Sequence, residues 1–276
     1  MLKTLATVTG TALLTLGMTQ TGQAGTLYNG WTYSIDAFDD GSGGEAYEIK
    51  GLAVKETTDA IIFSIAGGAD LGGVDTEGPT DGNIGWGDLM LNFSGEDYNT
   101  AADRGALFGI RFADTNDSGV GGTGLYKVSQ AVALYADNNG YGSLRQYYDA
   151  GFSRPNTMGD IATEQAAFDY FGELTEVRSN IGEGQPLGAL TLLTDQEAAA
   201  AGLDFAAFDA DAPYTHTVSV DRDLLPKRNF IASIFLECIN DGVALFSDRE
   251  DVPEPSAVGG LIAAGLMVAR HLRCRG

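Results

Sequence analysis

The stretch Asp114-Thr115-Asn116-Asp117-Ser118-Gly119 crowds oxygen-bearing side chains together and puts a glycine at the sixth position. It matches the first half of a calcium loop, because Ca²⁺ takes about 6–8 oxygens from a chain that bends round it. Asp114, Asn116, Asp117 and Ser118 are the candidate ligands. The EF-hand version fails, since its twelfth position is Leu125 rather than a glutamate. A solvated acidic turn fits the same residues equally well. Two further oxygen clusters are Asp36 with Asp39 and Asp40, and Asp75-Thr76-Glu77 with Asp81 and Asn83. Each of these reads first as a turn.

Other chemistry has little to stand on. Gly119-Val120-Gly121-Gly122-Thr123-Gly124 fits a dinucleotide fingerprint in form, but a strand-like run follows it where a helix is required. Gly151-Phe152-Ser153-Arg154-Pro155 lacks the last glycine of a nucleophile elbow. His216 sits in a strand-like run and reads as a structural histidine. Cys238 lies in the apolar run Ile231–Ile239 and reads as a buried, inert thiol. With so few histidines and cysteines, zinc catalysis has no ligand set. Glycoside hydrolysis needs two carboxylates facing each other at roughly 5–9.5 Å, and spacing selects no such pair. The aromatic residues Tyr141, Tyr147, Tyr148, Phe152, Tyr170 and Phe171 can stack on sugars of a polysaccharide or fill a core, and the core is the commoner fate.

The elements that must position these groups read as β-structure. The chain has 276 residues, 38 acidic and 16 basic, and a formal charge of −22. Such a polyanion does not hold nucleic acid phosphates. A hydrophobic content of 44% is enough for a folded core. Aromatic and β-branched runs with period-2 alternation lie at about 27–38, 47–55, 60–66, 89–94, 106–112, 125–135, 216–220, 230–238 and 243–246. Glycine, aspartate and asparagine clusters separate them as turns. The pattern predicts a mainly β protein, an antiparallel β-sandwich or jelly roll. A short helical insertion is expected over about 157–211, with one helix within 163–177 and another behind the capping box Thr194-Asp195-Gln196-Glu197.

The two ends follow another grammar. Lys3, the apolar run from Leu5 to Met18 and the small residues at Gly22 and Ala24 form a secretory signal peptide over 1–24. Signal peptidase would cut between Ala24 and Gly25. At the other end, Val252, Pro253, Glu254 and Pro255 make a rigid segment, since proline lacks an N–H and restrains its predecessor. Thirteen uncharged residues, Ala257 to Ala269, come next, then Arg270, His271, Arg273 and Arg275. A spanning helix wants about 20 apolar residues, so this stretch is short for one. The arginines would stay on the cytoplasmic side. Such a tail holds an exported protein at the membrane until it is cut.

The combination of Pro253-Glu254-Pro255, a hydrophobic stretch and a terminal basic cluster over 253–276 resembles the PEP-CTERM sorting signal. Trp31-Thr32-Tyr33-Ser34-Ile35-Asp36, Tyr47-Glu48-Ile49-Lys50-Gly51 and Glu237-Cys238-Ile239-Asn240-Asp241 make the body similar to exosortase-dependent surface proteins of cyanobacteria. The resemblance implies export, recognition by an exosortase near the Pro-Glu-Pro segment, transient membrane insertion through the tail, and delivery to a bacterial cell surface or extracellular matrix. It implies no enzymatic chemistry.

Without Lys3, Glu254, Arg270, Arg273 and Arg275, the body over 25–252 keeps 12 basic and 37 acidic residues, a charge of −25. Self-repulsion of that size is relieved by cations that bind only the folded state. The expectation is therefore a non-enzymatic, exported, acidic surface or matrix protein, stabilised by calcium. A carbohydrate-binding module for surface polysaccharide is the alternative, and a glycoside hydrolase stands behind it.

Overall fold

The computed structural model describes residues 25–150 and 157–248. The first strands are β1 (Thr26–Tyr28), β2 (Trp31–Ile35), β3 (Ile49–Glu56), β4 (Ala60–Gly67), β5 (Val74–Asp75), β6 (Asn83–Ile84) and β7 (Leu89–Asn92). Then come β8 (Phe108–Arg111), β9 (Gly124–Val132), β10 (Asn180–Gly188), β11 (Leu190–Leu193), β12 (Tyr214–Asp221), β13 (Phe230–Phe235) and β14 (Gly242–Ser247). The helices are α1 (Tyr98–Asp103), α2 (Leu144–Asp149), α3 (Glu164–Phe171) and α4 (Asp195–Ala200).

These strands make two six-stranded antiparallel sheets. One has the order β1-β2-β3-β4-β12-β11 and the other β10-β9-β8-β7-β13-β14. The small hairpin β5–β6 stands apart. The expected antiparallel β-sandwich is the fold. Alternation along each strand explains the layers, because successive side chains point to opposite faces. Ile61, Phe63 and Ile65 of β4 enter the core between the sheets, where they meet Phe230, Ala232 and Ile234 of β13. Ile62 and Ala66 of β4 point the other way, into a second apolar layer with Trp31, Tyr33 and Phe205. On the outside of the other sheet, Met90, Tyr126 and Phe235 pack with Tyr98 of α1, Tyr147 of α2 and Phe171 of α3. Each fully buried large apolar side chain contributes about 1.5–3 kcal/mol. Helical segments therefore cover both outer faces, and that is why β4 is buried almost throughout.

Segment 157–211 holds the two expected short helices, α3 and α4, and also two strands, β10 and β11. β10 carries little strand signal in sequence, because Asn180-Ile181-Gly182-Glu183-Gly184-Gln185-Pro186-Leu187-Gly188 is rich in glycine and holds a proline. It pairs with β9 alone, with three register shifts, and an edge strand tolerates this. Ala189 alone separates β10 from β11, so the chain passes from one sheet to the other in a single step. The run read as one strand over 27–38 is a hairpin, turned at Asn29 and Gly30 with φ of 50° and 77°. Among the described residues, no helix is long and apolar enough to cross a membrane.

Candidate functional site

The sandwich brings three carboxylates from distant parts of the chain into one buried cluster. Asp36 follows β2, Asp40 lies in the loop after it, and Asp241 occupies the turn between β13 and β14. One oxygen from each lies within 4.8 Å of the others, and the three residues are 5%, 0% and 1% exposed.

Backbone donors fix two of them. Asp36 Oδ1 accepts from the N–H of Ala37 at 2.9 Å and of Gly159 at 3.0 Å. Asp241 Oδ2 accepts from the N–H of Ile49 at 2.5 Å, and its Oδ1 accepts from the N–H of Gly242 at 2.7 Å. The Tyr147 hydroxyl donates to the same Oδ1 at 3.4 Å. The loop carrying Asp40 is shaped by buried Glu48, whose carboxylate accepts from the N–H of Asp39 at 2.6 Å and of Gly41 at 2.9 Å. Asp39 takes a left-handed φ of 63° to make that bend. Ser42 and Asn240 join this loop to the turn of Asp241 by a pair of bonds, Ser42 N–H to Asn240 O and Asn240 Nδ2 to Ser42 O.

Two polar atoms at the cluster are buried and make no hydrogen bond among the described residues: Asp36 Oδ2 and the Tyr148 hydroxyl. Burial pushes the carboxyls of Asp36 and Asp241 well above the usual carboxylate range. The charges of Asp241 and Asp40 add to this at Asp36, and those of Asp40 and Glu48 at Asp241. Burial also raises the Tyr148 hydroxyl, with help from Asp36, Glu164, Asp40 and Asp241. Like charges in a low-dielectric site demand protons or a cation.

The loop singled out in sequence is organised differently. Asp114 and Asp117 are exposed, Asn116 is buried and Ser118 is half-buried. The Arg111 guanidinium occupies the centre of the loop. It donates to Asn116 Oδ1 at 2.8 Å and to the carbonyls of Asp114 at 3.0 Å, Asn116 at 3.0 Å and Val120 at 2.5 Å. Asn116 Nδ2 and the Ser118 hydroxyl donate to buried Asp88 at 2.9 and 2.6 Å, and the Ile181 N–H joins them at 2.7 Å. Of the four side chains expected to face an ion, Asn116 turns its oxygen to the Arg111 cation, Ser118 donates to Asp88, Asp117 Oδ2 accepts from Asn138 Nδ2 at 3.2 Å, and Asp114 meets Arg111 only through its carbonyl. Burial raises Asp88 to about 6 and Glu237 to about 8. Glu237 accepts from the N–H groups of Asp117 at 2.7 Å and Gly85 at 3.1 Å, and from Asn180 Nδ2 at 2.9 Å.

The remaining candidates fall out simply. Asp75 and Asp81 bond Asn83 within the β5–β6 hairpin. His216 Nε2 lies 3.0 Å from the Ala69 carbonyl, and burial lowers the imidazole. Burial pushes the Cys238 thiol up to about 12. Tyr147, Tyr170 and Phe171 are core residues, while Tyr141 and Tyr148 are half-buried against the same layer. Phe152, Ala24, Val252 to Pro255, Arg270, Arg273 and Arg275 lie outside the described residues, and Gly25 is the first residue inside them. Sequence reading found Asp36 and Asp40 as neighbours but missed Asp241, because only sheet pairing brings it to them.

No protein-family model matches the chain, and neither the curated proteins nor the solved structures give a significant match.

Proposed function

We propose that the chain is an exported, non-enzymatic protein of a bacterial cell surface or extracellular matrix. Signal peptidase releases it at Ala24–Gly25, and an exosortase sorts it through the tail from Val252 to Arg275. One observation carries this reading. Among the described residues, the strands of the two sheets run from Thr26 to Ser247, within the body bounded by the two proposed cuts.

Mass spectrometry of the mature protein, expressed in a host with and without an exosortase, tests the proposal. The expected product starts at Gly25 and ends near Pro253–Ser256 only when the exosortase is present. An exported chain that still ends at Gly276 in both hosts overturns it.

A second reading, a polysaccharide-binding module, has its own observation. A cleft of about 430 Å³ is lined by Asp70, Asp75 and Tyr214, and Tyr214 is 42% exposed. An exposed tyrosine beside carboxylates is suited to stack on a sugar and accept from its hydroxyls.

A further inference from the structure

We infer that Asp36, Asp40 and Asp241 form a calcium site that clamps the two sheets together beside α2. The proposal is independent of the sorting reading. It moves the expected cation from the loop at 114–118 to the buried cluster.

Convergence comes first. At the widest spacing the cluster allows, 4.8 Å, the point equidistant from three oxygens lies about 2.8 Å from each. Small side-chain movements bring that to the Ca²⁺–oxygen length of about 2.3–2.6 Å. Three carboxylates also meet the preference of Ca²⁺ for hard oxygen donors in a flexible shell, whereas Mg²⁺ demands near-ideal octahedral geometry.

Orphaned polar atoms are the second observation, and they point to a missing ligand. Asp36 Oδ2 is buried without a hydrogen-bond partner among the described residues, and so is the hydroxyl of neighbouring Tyr148. Buried polar atoms are almost always satisfied. A bound cation would satisfy Asp36 Oδ2 directly. It would also leave the Asp36 and Asp241 hydrogen bonds to Ala37, Gly159, Ile49 and Gly242 in place, as outer contacts that hold the ligands in position.

Location gives the site its role. Asp36 belongs to the end of β2 in one sheet and Asp241 to the β13–β14 turn in the other. An ion between them joins segments about 200 residues apart, and binding that favours the folded state stabilises it by mass action.

Terbium luminescence on the full chain tests the site, because Tb³⁺ replaces Ca²⁺ and is sensitised by nearby tyrosines such as Tyr147 and Tyr148. The expected result is a sensitised signal displaced by calcium. Asp36→Asn and Asp241→Asn should lower calcium affinity at least about tenfold, while Asp114→Asn with Asp117→Asn leaves it unchanged. Affinity that survives Asp36→Asn and Asp241→Asn, or is lost only in the loop variant, overturns the proposal. If the cluster variants do not fold, the wild-type chain decides through anomalous scattering from Tb³⁺-soaked crystals. A peak among the three carboxylates supports the site, and a peak elsewhere or none overturns it.

Discussion

Asp241 accepts the backbone N–H of Ile49 at 2.5 Å, so the turn of one sheet is tied to the first residue of β3 in the other. Both residues are buried, at 1% and 0% exposure. The Ile49 amide should therefore exchange with solvent only on global unfolding. Asp241→Ala leaves that donor orphaned, which costs about 1–3 kcal/mol. Hydrogen exchange of the variant should show the Ile49 amide among those accelerated most.

Asp88 is the hub of the 114–118 loop. Asp88→Ala strands two buried donors, on Asn116 and Ile181, while half-buried Ser118 keeps the Ile181 carbonyl, and it should cost about 2 kcal/mol or more in urea unfolding. Asp114→Ala removes an exposed side chain and keeps the carbonyl that Arg111 holds, so its effect should stay within about 0.5 kcal/mol.

Stability should fall as the solution becomes more alkaline. Burial raises Asp88 to about 6, Asp160 to about 7 and Glu237 to about 8, so the folded chain holds these protons more tightly than the unfolded chain. Their contribution is complete below the ordinary carboxylate range, near pH 4, and is lost as pH rises through 6 to 8. Without metal, the melting temperature at pH 5 should exceed that at pH 8.5. Asp160→Asn should flatten this slope; an unchanged slope would show that Asp160 is not among its sources.

Gly159 has a positive φ of 61°, and a Cβ there would sit 2.2 Å from Ser34 Oγ and 2.8 Å from Val243 Cγ2. Ser34 Oγ cannot yield freely, because it donates to the Ala244 carbonyl and accepts from the Asp160 N–H. Gly159→Ala should cost about 2–4 kcal/mol. The substitution also displaces one of the donors to Asp36, so a thermal melt should show a loss larger than that for Gly121→Ala, where a Cβ meets nothing.

For the polysaccharide reading, Tyr214→Ala should abolish retention on a glycan array while the melting temperature changes by only a few degrees. The exposed ring stacks on His216 at 6.2 Å and takes no part in the central core. A wild-type blank on the array discards the reading.

Much of the sandwich was legible because alternation is a local signal. The runs at 49–56, 60–67 and 230–235 alternate between two apolar layers and announce themselves. β10 did not, since its glycines and Pro186 carry no apolar pattern and its pairing depends on β9. The Asn29-Gly30 turn was present in sequence but was absorbed into one long run. In the candidate site, Asp36 and Asp40 are near neighbours and could be noticed together. Asp241 joins them only through tertiary pairing, and no spacing rule reaches that far. The loop at 114–118 shows a related limit. Its oxygens have calcium-like spacing, but Arg111, on the preceding strand, supplies a positive charge from within.

The passage from β10 through Ala189 to β11 acts as the spine of a book whose two covers are the sheets. Along that spine the covers are sewn together by the chain itself. At the fore-edge, β14 closes against β2 and β3 by packing, and the acidic cluster sits there. A fastening placed at the fore-edge works with the longest lever, so the hydrogen bond from the Ile49 N–H to Asp241 resists parting of the covers more than an equal bond near the spine would.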